Sequence, residues 1–236
     1  MSTGEIKFLD GPQSRWRDFK FAVHVLRDIV RGLRKLHFVG PCVTIFGSAR
    51  FKEDHPYYDD ARNIAAEVAK LGFTIMTGGG PGIMEAANRG AKDVGGKSVG
   101  CNILLPQEQH ENPYLDKWVN IKYFFVRKTL LLKYSYAFIV MPGGFGTLDE
   151  FFEALTLVQT RKISEFPIII FNKSYHKEVM EHLQLMNHNA TISPEDLDLC
   201  LFTDSIDEAV KFIQENSIKR FGLKPAVPRR RWWLFE

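Results

Sequence analysis

The sequence predicts an α/β fold: one Rossmann-like, doubly wound parallel sheet with helices on both faces, plus an N-terminal amphipathic helix. Two observations lead to this prediction. From Cys42 onward, short apolar segments alternate with longer segments of helical periodicity, the pattern of parallel strands joined by right-handed crossovers. No linker or internal repeat divides the 236 residues, and their 45% hydrophobic composition is enough to bury one full core.

The N-terminal helix is predicted from apolar residues that recur at helical spacing between Arg15 and Leu36. Basic residues fill much of its remaining surface. A basic amphipathic helix can bind a membrane surface or a partner. Because the apolar stripe is regular, we interpret it instead as a helix that packs on its own domain or dimer, with solvated charges.

The strands are predicted from short apolar runs between turn residues, and the helices from longer periodic segments between those runs. The predicted strands are Val43–Phe46, Phe73–Thr77, Ser98–Leu105, Val119–Phe125, Ala137–Met141, Ile168–Phe171 and Leu199–Phe202. The predicted helices are Tyr57–Leu71, Gly82–Asp93, Arg127–Tyr134, Leu148–Thr160, Tyr175–His188 and Ile206–Glu215.

These elements divide the chain into four predicted parts. Residues 1–12 form a flexible N-terminus, 13–37 the amphipathic helix, 38–218 the Rossmann-like nucleotide-binding domain, and 219–236 a basic and aromatic tail. The tail contains the run Arg229-Arg230-Arg231-Trp232-Trp233, which could stack on nucleic-acid bases. Such a tail more often folds back on its own subunit or a neighbour, so we do not expect a nucleic-acid partner.

Composition excludes several other classes of protein. The three cysteines are far apart and form no CxxC pair, and the histidines show no metal-ligand spacing, so we expect neither a disulfide framework nor a metal site. A net charge of +3 is too small to indicate nucleic acid. The sequence has no signal-peptide core and no apolar run near the ~18 residues of a membrane span, so we expect a cytoplasmic protein that does not bind membranes.

Three glycine-rich loops follow predicted strands: Gly47–Arg50, Gly78–Gly82 and Pro142–Thr147. Since crossovers share one hand, all three loops lie at the carboxyl edge of the sheet, where α/β proteins bind ligands at the reversal of strand order. If the first strand is next to the Ala137–Met141 strand, the first and third loops face each other across a crevice.

The Pro142–Thr147 loop is suited to an anion. Its glycines precede a predicted helix, so bare N–H groups and the helix dipole converge on one point, where a phosphate fits best. Asp149 and Glu150 are predicted in the first turn of that helix. Neither a P-loop Lys-Ser/Thr ending nor a G-x-G-x-x-G opening is present, which disfavours an ordinary kinase or dinucleotide dehydrogenase.

Three motifs in order, Gly78–Ala91, Phe125–Lys128 and Pro142–Glu150, resemble the Lonely Guy family of cytokinin-activating phosphoribohydrolases, also labelled lysine decarboxylase-like. The similarity covers roughly residues 41–213. It implies a homodimer or higher homo-oligomer that needs no cofactor. The implied reaction is hydrolysis of the N-glycosidic bond of a nucleoside 5′-monophosphate, AMP or an N6-modified AMP, to free base and ribose 5-phosphate.

By that resemblance, Arg127 and Glu150 are the catalytic pair. A carboxylate near C1′ stabilises an oxocarbenium-like transition state and activates water, and an arginine binds phosphate or ribose, or holds the carboxylate. Asp149 is interpreted as a charge that complements the helix dipole. The expected phosphate-binding residues are Gly143, Gly144, Gly146 and Thr147. Further expected substrate contacts are Gly47, Ser48, Arg50, Gly79, Gly80, Glu85 and Lys128.

Other functions remain as alternatives. Relatives of this fold carry nucleotides or the molybdenum cofactor without hydrolysing them, and the presence of both Arg127 and Glu150 favours the enzyme. No lysine lies in a context that indicates a pyridoxal phosphate Schiff base, which disfavours a lysine decarboxylase. The N-terminal helix and the tail extend beyond a minimal catalytic domain, which leaves open the number of subunits and whether the substrate is a cytokinin or a housekeeping nucleotide.

Overall fold

The computed structural model describes residues 5, 8–12, 14–104, 111–163 and 166–218. The predictions for the tail 219–236 and for much of the segment 1–12 lie outside the described residues. None of the helices in these ranges has the length and apolarity that a membrane span requires.

The predicted fold class is confirmed: the described residues form one seven-stranded, all-parallel sheet in the order β4-β3-β2-β1-β5-β6-β7. The strands are β1 Cys42–Phe46, β2 Thr74–Thr77, β3 Ser98–Ile103, β4 Lys117–Ile121, β5 Ser135–Val140, β6 Ile168–Phe171 and β7 Cys200–Thr203. The α-helices are α1 Arg15–Leu36, α2 Pro56–Lys70, α3 Ile83–Asp93, α4 Phe124–Tyr134, α5 Phe145–Gln159, α6 Lys177–His188 and α7 Ile206–Ile213.

Two predicted boundaries are wrong in ways that affect the site. Phe124 and Phe125 belong to α4 and not to the fourth strand, because the apolar run from Val119 conceals the change from strand to helix. Helix α5 begins at Phe145, three residues earlier than predicted, because the Gly144 carbonyl accepts hydrogen bonds from the Thr147 and Leu148 N–H groups.

The strand order reverses at β1, which lies between β2 and β5 as the prediction required. Val43, Thr44, Ile45 and Phe46 pair in register with residues 137–140 of β5. The chain therefore leaves β1 and β5 at one edge of the sheet, and the predicted crevice lies between the two exits.

Two apolar clusters cover the two faces of the sheet. One contains Leu36 of α1, Val126 of α4 and Phe151 of α5, and the other contains Ile64 of α2 and Ala87 of α3. The sheet thus separates α4 and α5 from α2 and α3. This separation decides which side chains reach each wall of the crevice.

Helix α1 packs on β4 and α4 through only part of its apolar surface. Ile29, Leu33 and Leu36 contact the core, as expected for a helix that packs on its own domain. Trp16 and Leu26, at the other side of the predicted stripe, are exposed. The apolar stripe is therefore wider than the surface of α1 that the described residues cover.

Helices α2 and α3 pack so closely that only glycine fits at position 90, where an added Cβ would overlap the backbone carbonyl of Arg62. Neither backbone can move without disturbing its cluster. We expect Gly90→Ala to lower the free energy of unfolding by about 1–3 kcal/mol, as overpacking does, measured by urea denaturation.

A matched control is Gly146→Ala, in the first turn of α5, where an added Cβ has no neighbour within 4 Å. Alanine is the better helix former, so this variant should be as stable as the parent or more so. Equal stability of the two variants would contradict the tight α2–α3 contact.

Candidate active site

A cavity of about 620 Å³ opens at the carboxyl edge of the sheet, above the reversal of strand order. The loops after β1, β2, β5 and β6, the end of β3 and the start of α4 all contribute to its walls. Of the predicted site residues, those that line it are Gly47, Ser48, Arg50, Arg127, Gly143, Gly144, Gly146, Thr147 and Glu150. The structure therefore brings most of the predicted set to one place.

Backbone contacts hold the loops of the cavity floor together. The Ser48 N–H donates to the Pro142 carbonyl at 3.0 Å, and the Ile83 N–H donates to the Ser48 carbonyl at the same distance. Gly82 has φ +70°, and a Cβ there would lie 2.5 Å from the Ser48 carbonyl oxygen. Only glycine allows this close approach of the two loops, so packing alone explains why the Gly78–Gly82 motif ends in glycine.

The start of α5 is the part of the cavity that is suited to an anion. The Phe145 and Gly146 N–H groups belong to the first turn of the helix, whose N–H groups have no partner within a helix. The Thr147 N–H, which was expected to bind phosphate, instead donates to the Gly144 carbonyl at 3.0 Å. The Thr147 hydroxyl remains beside Gly143, where any Cβ would overlap it.

Arg127 is fixed by the backbone of a neighbouring strand. Its Nε donates to the Cys101 carbonyl at 2.9 Å, and its Nη1 lies 3.8 Å from Glu150 Oε1. That separation is an ion pair and is too long for a hydrogen bond. The guanidinium also lies close to Gly78, where a Cβ would be 2.5 Å from Nη2. Arg127 therefore faces Glu150 without occupying its oxygens.

Glu150 is a buried carboxyl at the cavity wall, with its side chain 4% exposed. Among the described residues, its Oε2 has no hydrogen-bond partner. Burial raises the pKa of Glu150 to about 7, against the opposing effects of Arg127 and Lys128, while Glu153 and Asp149 raise it further. A carboxyl with this pKa and a free oxygen is suited to exchange protons near neutrality.

Asp149 and Glu150 lie in the second turn of α5, so their predicted place in the first turn is wrong. Asp149 contacts Lys128 of α4, with 2.8 Å between Oδ2 and Nζ, and Glu153 contacts the same Nζ at 3.2 Å. Burial lowers the pKa of Lys128, but the hydrogen bonds to both carboxylates prevail and raise it. Lys128 thus joins α4 to α5 and does not line the cavity.

Gly79, Gly80 and Glu85 also lie outside the cavity lining. The Asn112 N–H donates to the Gly79 carbonyl, and its Nδ2 donates to the Gly80 carbonyl at 3.1 Å. The Tyr58 hydroxyl donates to Glu85 at 3.1 Å. In this structure the three residues stabilise the second loop and the start of α3.

Several side chains of the cavity lining were not among the predicted site residues, and four of them are Phe51, Asn102, Phe124 and Tyr175. The Tyr175 hydroxyl donates to the Gly143 carbonyl at 2.8 Å and so touches the loop before α5. Asn102 is buried at the end of β3, and its Oδ1 accepts from the Ile103 N–H at 3.0 Å. For each, the only signal in the sequence is a position just beyond a strand or at its end.

No cluster of three or more histidine, cysteine, aspartate or glutamate residues that could hold a metal ion occurs within the described ranges. Cys42, Cys101 and Cys200 are all buried and free. Burial raises the pKa of each thiol to about 12, so none is a reactive thiolate near neutral pH.

Comparison with protein families finds a match over residues 84–213, more than half of the chain, to a family described as "Possible lysine decarboxylase". A cytokinin riboside 5′-monophosphate phosphoribohydrolase of Arabidopsis thaliana is 27% identical over 187 residues, covering 78% of this chain and 85% of that protein. A protein of the same description from Mycobacterium tuberculosis is 36% identical over 99 residues, covering 41% and 52%.

Among solved structures, the molybdenum cofactor binding protein of Rippkaea orientalis matches with a TM-score of 0.55 at 21% identity, covering 75% of this chain and 96% of that one. The molybdenum cofactor carrier protein of Chlamydomonas reinhardtii matches with a TM-score of 0.54 at 18% identity, covering 75% and 98%. At such identities the likeness shows the fold alone.

The raised pKa of Glu150 has a consequence for stability. The folded protein binds this proton more tightly than the unfolded chain, so the stability of the parent protein falls as the pH rises from about 4.5 to about 7. Glu150→Gln removes the charge. We expect the variant to be more stable than the parent above pH 7, by up to about 3 kcal/mol, and this difference to shrink towards pH 4.5.

The measurement is urea denaturation of both proteins from pH 4.5 to 8.5. Asp149→Asn is the control, because Asp149 is exposed, and its removal should produce no such rise between pH 4.5 and 7. A stability difference for Glu150→Gln that does not change with pH would show that the carboxyl has an ordinary pKa.

Proposed function

Because this chain belongs to the family described as "Possible lysine decarboxylase", we propose that it shares the activity named for its relatives and is a nucleoside 5′-monophosphate phosphoribohydrolase. The proposed substrate is AMP or an N6-modified AMP such as a cytokinin nucleotide, and the products are the free base and ribose 5-phosphate. No lysine lines the cavity within the described residues, which supports a hydrolase over a pyridoxal phosphate decarboxylase.

The observation that carries this proposal is the position of Glu150. Its buried carboxyl has a pKa of about 7 and one unpartnered oxygen, and it lines the same cavity as the anion-binding start of α5. Cleavage of a nucleoside 5′-monophosphate uses both features together: an anchor for the 5′-phosphate and a carboxylate beside the reacting carbon.

In the proposed reaction, positive charge develops at C1′ and the ring oxygen as the bond to the base breaks. The Glu150 carboxylate stabilises this charge and takes a proton from the water that attacks C1′. The oxygen of that water becomes the new hydroxyl of ribose 5-phosphate, and the base leaves with a proton from solvent. A carboxyl with a pKa of about 7 can accept this proton and release it again near neutral pH.

Arg127 has the proposed role of orienting Glu150 and binding the ribose or the phosphate. Its Nε is engaged by the Cys101 carbonyl, which leaves the Nη groups for Glu150 and the substrate. The phosphate is assigned to the Gly143–Thr147 loop, with the Phe145 and Gly146 N–H groups as donors. Because the phosphate does not react, the energy of binding it serves to place C1′ against Glu150.

The first test is turnover of AMP and isopentenyl-AMP by the purified chain, with ribose 5-phosphate and free base measured. We expect Glu150→Gln to lower kcat by at least ~10²-fold, the size of effect typical for loss of a general base. Asp149→Asn is the control and should retain most activity, because Asp149 contacts Lys128 and lies outside the cavity lining.

Full activity of Glu150→Gln would rule out the proposed mechanism. If neither nucleotide is cleaved by the parent protein but both bind, the alternative of a non-catalytic nucleotide carrier is favoured. Binding of the molybdenum cofactor without any nucleotide turnover would instead favour a role like that named for the two structural neighbours.

We also propose that the protein acts as a homodimer or higher homo-oligomer in the cytoplasm. Large exposed aromatic side chains surround the cavity, and Phe145, at its lining, is 95% exposed. Light scattering after size-exclusion chromatography should give the mass of at least two chains. A mass of one chain at all concentrations would contradict this proposal.

A further inference from the structure

The cavity extends across the sheet edge beyond the anion-binding loop, to a wall opposite Glu150. Arg127 and Glu150 lie on α4 and α5, whose neighbours Val126 and Phe151 belong to the apolar cluster on one face of the sheet. Phe51 and Tyr57 pack against the cluster on the other face. The loop Gly47–Arg50 leads to that second face, so Arg50 and Phe51 form the wall opposite the proposed catalytic pair.

Arg50 brings an uncompensated cation to this opposite wall. It is exposed and lines the cavity, and its backbone N–H donates to the Ser48 hydroxyl at 3.1 Å. Within the described residues its guanidinium has no hydrogen-bond acceptor and no acidic partner. Glu53, three residues further along the chain, does not pair with Arg50, because its carboxylate contacts Arg89 at 2.8 Å.

Three aromatic side chains, Phe51, Tyr57 and Tyr175, pack together beside Arg50 and form an aromatic wall. The rings of Phe51 and Tyr57 meet edge to face with centroids 5.2 Å apart, and those of Tyr57 and Tyr175 meet in the same way at 5.9 Å. Tyr175 in turn donates to the Gly143 carbonyl. The wall is thus joined directly to the loop assigned to the 5′-phosphate, through the hydroxyl of Tyr175.

These contacts place three features in sequence along the cavity. Glu150 is on one side, the Gly143–Thr147 loop is in the middle, and Arg50 with its aromatic wall is on the other side. With the ribose at Glu150 and the 5′-phosphate at the middle loop, a further group attached to that phosphate would extend away from Glu150, towards the wall that carries Arg50. A guanidinium without an acid partner favours a second phosphate there.

We propose that Arg50, Phe51 and Tyr175 form a second phosphate subsite, so that the protein binds nucleoside 5′-diphosphates in the cavity as well as monophosphates. This inference rests on the proposed function for the placement of the ribose and the first phosphate. Arg50 would then distinguish diphosphates from monophosphates, and the Gly143–Thr147 loop would bind the phosphate that both kinds of ligand share.

The test is isothermal titration of AMP, ADP and the 5′-methyl phosphate ester of adenosine, which extends AMP without adding charge. All proteins carry Glu150→Gln so that no ligand is consumed. We expect Arg50→Gln to raise the Kd of ADP at least fivefold more than the Kd of AMP, and to leave the ratio of the methyl ester to AMP unchanged. Arg27→Gln, an exposed arginine on α1, should change none of these ratios.

Equal loss of affinity for AMP and ADP in Arg50→Gln would overturn the proposal, because Arg50 would then bind the first phosphate. Failure of ADP to bind the protein with Arg50 intact would overturn it as well. These outcomes are independent of turnover. Release of ribose 5-phosphate from AMP tests the proposed hydrolase separately, and the ratio of ADP to AMP binding does not depend on that result.

Discussion

The parallel pairing of β1 with β5 sets where everything at the cavity lies. Because the crossover that precedes β5 and the crossover that follows β1 cover opposite faces of the sheet, the chain diverges above this pair and leaves a gap that no helix fills. The glycine loops close the floor of the gap through backbone contacts such as that of Ser48 with Pro142. Side chains from both faces then reach one space, Glu150 and Arg127 from one and Phe51 from the other.

Within that gap, the charge of the Glu150 carboxylate is only partly balanced by its neighbours. The surrounding apolar core removes water from the carboxylate, while the Arg127 guanidinium, whose Nε donates to the Cys101 carbonyl, stays 3.8 Å from its oxygen. Lys128 forms ion pairs with Asp149 and Glu153, and these two carboxylates balance most of its charge. If both oxygens of Glu150 were paired, its carboxylate would be a stable structural ion with a low pKa. Because the pairing is poor, the pKa stays near 7 and the carboxyl can gain and lose a proton near neutral pH.

The sequence was sufficient to predict the fold class and to place nine of the predicted residues at the cavity, because these depend on apolar periodicity and on glycine and threonine at strand ends. It could not distinguish glycines that face a ligand from Gly79 and Gly80, whose carbonyls are bonded to Asn112, since both kinds follow a strand in the same way. Side chains such as Tyr175 and Asn102 were missed because their role depends on contacts between segments far apart in the chain. The start of α5 was placed too late because Phe-Gly-Thr has little helix propensity, and the Gly144 carbonyl overrides it.

The floor and the walls of this cavity differ in how freely they can change. At Gly47, Gly82 and Gly143 any side chain would overlap a neighbouring residue of the floor itself, so variation there disturbs the loops before it reaches a ligand. Phe124 and Phe145 also line the cavity but are 45% and 95% exposed, so they can be exchanged for smaller or larger side chains without displacing those loops. Divergence of ligand preference on this scaffold is therefore expected at exposed lining positions such as Phe124 and Phe145 and not at the glycines of the floor.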